Sequence, residues 1–444
     1  MSERNQGVRV KNPKTAGPPQ TSCESNRQVT RVINHCFAAY IIRTMNKLPT
    51  TVDRYRARIA SLRTIMPISK SVADALWLCR TAILPLALAV ALAGSASSAD
   101  WPLPRGDAQS TGATATQLSD SLGVKWEFTA AEPVEATPVV AAGRVYIADV
   151  AGTLYCLSAG DGKEIWKLKT EIGFIGGPAV DGDLLVIGDL DGKVYGVNVS
   201  TGELLWTHDA GGEISSSASF IGDRVLIASQ DGNLYGLSRK DGMLQWTYET
   251  SDQIRCSPSI AGEKTFLGGC DGNLHTVSVV DGKSTSDPLP LGGPTGSTPA
   301  IADNLAFLPI MDGAVIAMDW KENREVWRYV DEERSQEYKS SPAVGGGLVI
   351  VASQGRQVDA LDVATGKRKW RYTLRRRADA SPVIAGNDVW LAATDGRLIR
   401  LSLADGTEKW TYEIRGQFTA SPSIADDKLF IADSRGVVRC FAAL

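Results

Sequence analysis

Tryptophan recurs in this chain at a fixed period. Trp126, Trp166, Trp206 and Trp246 stand 40 residues apart, and Trp327, Trp370 and Trp410 resume after a gap of 81 at spacings of 43 and 40. The gap of 81 spans two repeats. A glycine lies four residues ahead of five of these positions (Gly162, Gly202, Gly242, Gly366, Gly406), and Gly282 stands in the same relation to Ser286, so the fourth repeat has lost its Trp at Ser286. Self-similarity of this length means that each unit is one supersecondary element stacked on its neighbours.

Two further elements recur in phase. A Ser/Thr-Pro step opens each unit, at Thr137-Pro138, Gly177-Pro178, Ser217-Ala218, Ser257-Pro258, Thr298-Pro299, Ser341-Pro342, Ser381-Pro382 and Ser421-Pro422. A mid-unit Asp-Gly turn begins at Asp191, Asp231, Asp271, Asp312 and Asp395, weakened to Ala151-Gly152, Gln354-Gly355 and Arg435-Gly436. Asp-Gly supplies the positive φ of a tight hairpin. Short alternating strands between such turns, with no competing helical period, predict an all-β chain: an eight-bladed β-propeller of four-stranded antiparallel blades. The last unit ends before a Trp strand, while an unpaired one surrounds Trp126. The N-terminal strand is therefore expected to complete the last blade and close the ring, removing a sheet edge. Each Trp should sit on the outermost strand against the next blade, with the glycine four residues earlier leaving room for the ring. Burying such a side chain contributes on the order of 2–3 kcal/mol, so the seven are read as structural.

Charge divides the chain. Residues 1–99 hold 14 of the 47 Lys+Arg and 4 of the 50 Asp+Glu, leaving residues 100–444 at −13. An acidic body argues against nucleic-acid or anionic-membrane binding. The apolar run from Thr81 to Ala93, flanked by Lys70 and Arg80 and followed by Gly94 to Ala99, has the parts of a secretory signal and is too short for a spanning helix, which needs about 20 apolar residues. Three segments follow: a basic disordered leader or misplaced start over 1–65, with translation from Met66; a signal peptide over 66–99; and the propeller over 100–444. The mature chain is expected to be periplasmic or secreted, and monomeric.

The residues offer little material for catalysis. His208 and His275 fall on different blades, and no Cys-x-x-Cys pair exists among Cys156, Cys256, Cys270 and Cys440, so no catalytic or metal site is expected. Cys256 and Cys270 flank a turn near Gly262-Glu263 that would set them opposite each other, as a cross-strand disulfide or as two buried thiols. Asp189-Leu-Asp-Gly192 could suggest calcium but reads as a blade turn, since one such turn rarely supplies six ligands. Asp331-Glu332-Glu333 and Arg375-Arg376-Arg377 fall in loops between blades, as a carboxylate pair and an anion clamp, or as groups that pair with each other or with water. Two places ahead of each Ser/Thr-Pro step, where the channel mouth should lie, stand Glu135, Ile175, Ser215, Arg255, Gly296, Lys339, Asp379 and Thr419. These differ in every unit. Glu135, Arg255, Lys339 and Asp379 could bind a zwitterionic ligand or a charged peptide, or neutralise one another across water.

The repeat Asp191-Gly-Lys-Val-Tyr-Gly-Val-Asn-Val-Ser-Thr-Gly-Glu-Leu-Leu-Trp206 resembles the docking motif of the pyrroloquinoline-quinone repeat family, and the resemblance covers residues 101–444 from the opening Trp101-Pro-Leu-Pro-Arg-Gly106. One branch, the outer-membrane assembly lipoproteins, implies a non-catalytic scaffold with envelope partners, including the barrel assembly complex. No cysteine follows the apolar run between Ser95 and Asp100, so the lipid anchor of that branch is not expected here. The other branch, the quinoprotein dehydrogenases, implies quinone and calcium at the channel mouth. Its adjacent cysteine pair has no counterpart here. A protein-binding scaffold of the envelope without cofactor is the reading preferred, with a quinone-dependent oxidoreductase or a polymer-sensing propeller as alternatives.

Overall fold

The computed structural model describes residues 100–334 and 336–444. The expected leader (1–65), the signal segment (66–99) and the proposed start at Met66 lie outside them. The described chain is an eight-bladed β-propeller with eight antiparallel blades. In the first blade Val139–Ala141, Arg144–Ala148, Thr153–Ser158 and Glu164–Lys169 run from the channel outward. The second and third strands are almost wholly buried, being covered on both faces by neighbouring blades, while the fourth alternates and turns its Trp inward.

The ring closes as expected. Leu122–Thr129 pairs antiparallel with Val437–Ala443, setting Trp126 opposite Cys440, and completes the blade begun by Ser423–Ala425 and Lys428–Ala432. A second use of the N-terminal segment was not legible: Ala113–Thr114 adds a parallel strand to the inner edge of the seventh blade, beside Val383–Ala385.

The Trp motif works between blades, and this corrects the expected role of its glycine. Gly162 makes room for Trp126 of the preceding blade rather than for Trp166; a Cβ there would stand 2.6 Å from the Trp126 ring. Gly202, Gly242, Gly282, Gly366 and Gly406 receive Trp166, Trp206, Trp246, Trp327 and Trp370 in the same way. The indole N–H of Trp126 then donates to the Ala159 carbonyl at 3.1 Å, that of Trp166 to Val199 at 3.0 Å and that of Trp370 to Leu403 at 2.9 Å. Trp126, Trp166, Trp206, Trp327 and Trp370 thus bury their rings and satisfy their donors in one step, whereas the Trp246 indole N–H, facing the blade without a Trp, has no such acceptor among the described residues.

The fourth blade, without its Trp, has an outer strand of two residues, Leu289–Pro290. Trp320 of the fifth blade fills the space from the other side, edge-on to Phe266 with ring centroids 5.2 Å apart. It occupies the position whose carbonyl would have accepted the missing indole.

A further correction concerns the sixth blade. Its mid-blade turn is Gly355-Arg356, one residue later than the Gln354-Gly355 alignment: the Arg356 N–H donates to Ser353, as the Gly152 N–H does to Asp149 in the first blade. Arg356 therefore carries a φ of +69° where the other seven blades place glycine.

Candidate functional site

The Ser/Thr of the opening step has a structural task. The Ser217 N–H donates to Ser257 Oγ at 2.9 Å, Ser257 to Thr298 Oγ1 at 3.1 Å, Thr298 to Ser341 Oγ at 3.0 Å, Ser341 to Ser381 Oγ at 3.0 Å and Ser381 to Ser421 Oγ at 2.9 Å. These bonds lace the inner ends of consecutive blades and satisfy amides that proline-led strands leave unpaired. The second blade has Gly177 at this position because the chain's own N-terminal segment passes there: a Cβ on Gly177 would lie 2.7 Å from Pro104 Cγ.

That segment occupies the channel from the side of the first hairpin turns. Inward-facing N–H groups of Val140, Val180, Ile260, Ile301, Val344 and Ile384 donate to the carbonyls of Trp101, Pro102, Ala108, Gln109, Thr111 and Gly112. Trp101 and Arg105 are buried. The Arg105 Nη2 donates to the carbonyls of Pro342 and Pro382 at 2.8 and 3.0 Å, and burial lowers the guanidinium to about 10.

The opposite face carries the loops that join blades, and one bond fixes all eight. An N–H of each mid-blade turn donates to the preceding loop: Val150 to Pro133, Leu190 to Gly173, Gln230 to Glu213, Cys270 to Gln253, Met311 to Pro294, Gln354 to Glu337, Thr394 to Arg377 and Ser434 to Gln417. The mouth residues stand on this frame. Among the described residues no ion pair joins them to one another; their partners are local. Arg255 bonds Gln253 at 2.8 Å, Lys339 bonds Glu337 at 3.1 Å, and Asp379 accepts from Gln354 at 3.0 Å and from Arg377 at 3.1 Å. Glu135 is exposed.

The acidic and basic triplets do not pair with each other. Asp331 is buried and accepts from Arg371 at 2.7 Å and from Gln336 at 2.8 Å, while Glu332 and Glu333 point outward. Burial alone would raise the Asp331 carboxyl, but the bonds from Gln336 and Arg371 outweigh it and hold it below the usual carboxylate range. Arg371 also bonds Asp359 at 2.7 Å. Asp331 is thus part of a buried structural triad. Arg375, Arg376 and Arg377 instead line an open groove of about 610 Å³ together with Arg356, Gln354, Thr394 and Gln417. Arg356 is the member that sequence reasoning missed, hidden by the one-residue misalignment of its turn; an arginine at the glycine position was the available signal.

The remaining candidates serve the framework. Cys256 and Cys270 are free thiols, the second of the two arrangements the sequence left open, with Cys256 buried and Cys270 only partly so. The hairpin sets Ala261 opposite Lys264 and Ser259 opposite Phe266, a register whose continuation places Cys256 opposite residue 269 and turns the two side chains to different faces. The Cys256 thiol donates to the Gly268 carbonyl, and burial pushes it up to about 12. Asp189 is buried, accepting from the amides of Asp191 and Lys193 at 3.0 and 2.9 Å and from the Tyr195 hydroxyl at 2.8 Å. His275 takes the place of such a tyrosine, between Tyr248 and Asp271, each at 2.9 Å.

The model of the family described as outer membrane protein assembly factor BamB matches residues 108–172, 150–298 and 288–443. The outer membrane protein assembly factor BamB of Xanthomonas campestris pv. campestris is 36% identical over 80 residues, which are 16% of this chain and only 20% of that relative. Among solved structures, BamB from Moraxella catarrhalis superposes with a TM-score of 0.63 at 18% identity, over 72% of this chain and 99% of that one. Quinohemoprotein alcohol dehydrogenase from Comamonas testosteroni does so with a TM-score of 0.68 at 13% identity, over 79% and 81%. At such identities the two structures speak for the fold alone.

Proposed function

Because the chain belongs to the family of the outer membrane protein assembly factor BamB, we propose that it is a non-catalytic scaffold of the cell envelope, acting on the periplasmic side and binding proteins that assemble the outer membrane. The observation that carries this reading is the loop face: eight loops held by one repeated N–H to carbonyl bond, displaying a different set of side chains on every blade. A rigid frame with variable display is how repeat folds build recognition surfaces. No helix among the described residues is long and apolar enough to cross a membrane.

The quinone reading finds less support in the residues present. Calcium requires six to eight oxygens, and among the described residues no three of His, Cys, Asp and Glu converge; Asp189 is engaged by its own turn and by Tyr195. The test is paired. Tagged protein should co-purify with the outer-membrane barrel assembly machinery from detergent-solubilised envelopes. Titration with pyrroloquinoline quinone and calcium should leave the absorbance unshifted and reduce no dye; saturable binding with dye reduction would replace the scaffold by the oxidoreductase.

A further inference from the structure

We propose that the groove formed by Arg356, Arg375, Arg376 and Arg377 holds an extended acidic segment of a partner protein. This rests on the reading of the loop face as a partner-binding surface and names the chemistry of what binds there. Three observations carry it.

The first is the backbone at Arg356. The mid-blade turn needs a left-handed residue, and seven blades use glycine with φ between +73° and +94°. The sixth blade alone uses arginine, at +69°. An L-residue with a long side chain is disfavoured in that region, and such a conformation kept against a freely available glycine points to a task for the side chain. The side chain lines the groove.

The second is unmatched charge. The mature body carries −13, yet four guanidinium groups gather here with no carboxylate lining the groove. Arg377 is offset by Asp379 at 3.1 Å and Arg375 by the exposed Glu413 at 3.7 Å. Among the described residues Arg356 and Arg376 form no ion pair. Four like charges held together by a pinned turn and a pinned loop leave room for carboxylates, which arginine binds in bidentate fashion.

The third is the shape and the neighbouring charge. The groove is an open trough with mostly polar walls, unlike the enclosed apolar cavities that take small molecules. It shares Gln354 with a second trough of about 610 Å³ that includes Met311, Asp312 and Glu337. A uniformly anionic polymer running from one trough into the next would meet Asp312 and Glu337. A peptide can be acidic over blades six and seven and neutral or basic beyond, so the pair of troughs favours a protein segment over nucleic acid or polyphosphate.

The test is fluorescence anisotropy of the purified protein with a labelled octapeptide of alternating Glu and Ser, at about 50 mM salt where exposed charges are weakly screened. Saturable binding is expected, weakened at least tenfold by Arg356→Gly and by Arg376→Ser and unchanged by Lys163→Ser on the opposite face. Arg356→Gly restores the residue of the other blades, so its melting temperature should equal or exceed that of the parent, and lost binding then reports the groove rather than the fold. Undiminished peptide binding by Arg356→Gly overturns the proposal. So does displacement by pyrophosphate at a concentration where citrate has no effect, which would make this a phosphate site, or a protein dimer that Arg356→Gly dissolves, which would make the occupant a second copy. If the peptide fails to bind while the parent still co-purifies with the assembly machinery, the inference falls and the scaffold reading stands.

Discussion

Arg371 sits between two carboxylates, Asp331 and Asp359, that are almost without solvent contact, at 2.7 Å from each. Removing one member of such a group leaves buried charge uncompensated, at a cost of about 3–5 kcal/mol. Arg371→Leu should therefore lower the urea midpoint by a corresponding amount, whereas Arg375→Leu, on an exposed loop, should shift it hardly at all. The triad was not legible in the sequence, because Asp331 and Arg371 come from loops and strands 40 residues apart and nothing local distinguishes Asp331 from the exposed Glu332 and Glu333. The Trp–Gly spacing was legible, since the two residue types recur at one fixed offset at five of the seven Trp positions. What spacing could not say was which ring each glycine receives. Gly162→Ala should cost on the order of 1–3 kcal/mol through overpacking against Trp126, and a small-to-large change at Gly222, with open space around its Cβ, should cost less.

At the scale of elements, the closing strand Leu122–Thr129 was foreseeable because an unpaired Trp strand at one end answers a missing one at the other. The channel segment was not, since Trp101 to Gly112 has neither strand period nor turn signature and makes its bonds one blade at a time. Its trace in the sequence is indirect: Gly177 replaces the Ser or Thr of the other opening steps where Pro104 passes. This gives a coupled prediction. Gly177→Ser should destabilise the intact chain by about 1–3 kcal/mol and be neutral or stabilising in a chain lacking residues 100–112. Denaturation of the two single variants and the double variant forms the cycle. Equal effects in both backgrounds would mean that the segment does not occupy the channel in solution.

For the whole molecule, stability should depend on acid in a defined sense. Burial alone would raise the carboxyls of Asp388 and Asp433, but bonds from Arg400, Lys409 and Gln117 to the first, and from Arg439, Arg435 and backbone amides to the second, outweigh it and hold both low, as at Asp331. A carboxyl held lower in the folded chain adds stability that is complete above its unfolded value of about 3.9 and is lost as pH falls through the folded value. Melting temperature should thus be flat near neutrality and fall below about pH 4; a steep fall between pH 5 and 7 would point to other groups. The central claim, that the loop face is the working surface of a scaffold, is tested most directly by site-specific photo-crosslinking in intact cells, with the probe at Gln354 on the loop face and at Gly222 on the hairpin face. The account predicts crosslinks to outer-membrane assembly proteins from Gln354 and none from Gly222. Crosslinks to those proteins from Gly222 alone would contradict it.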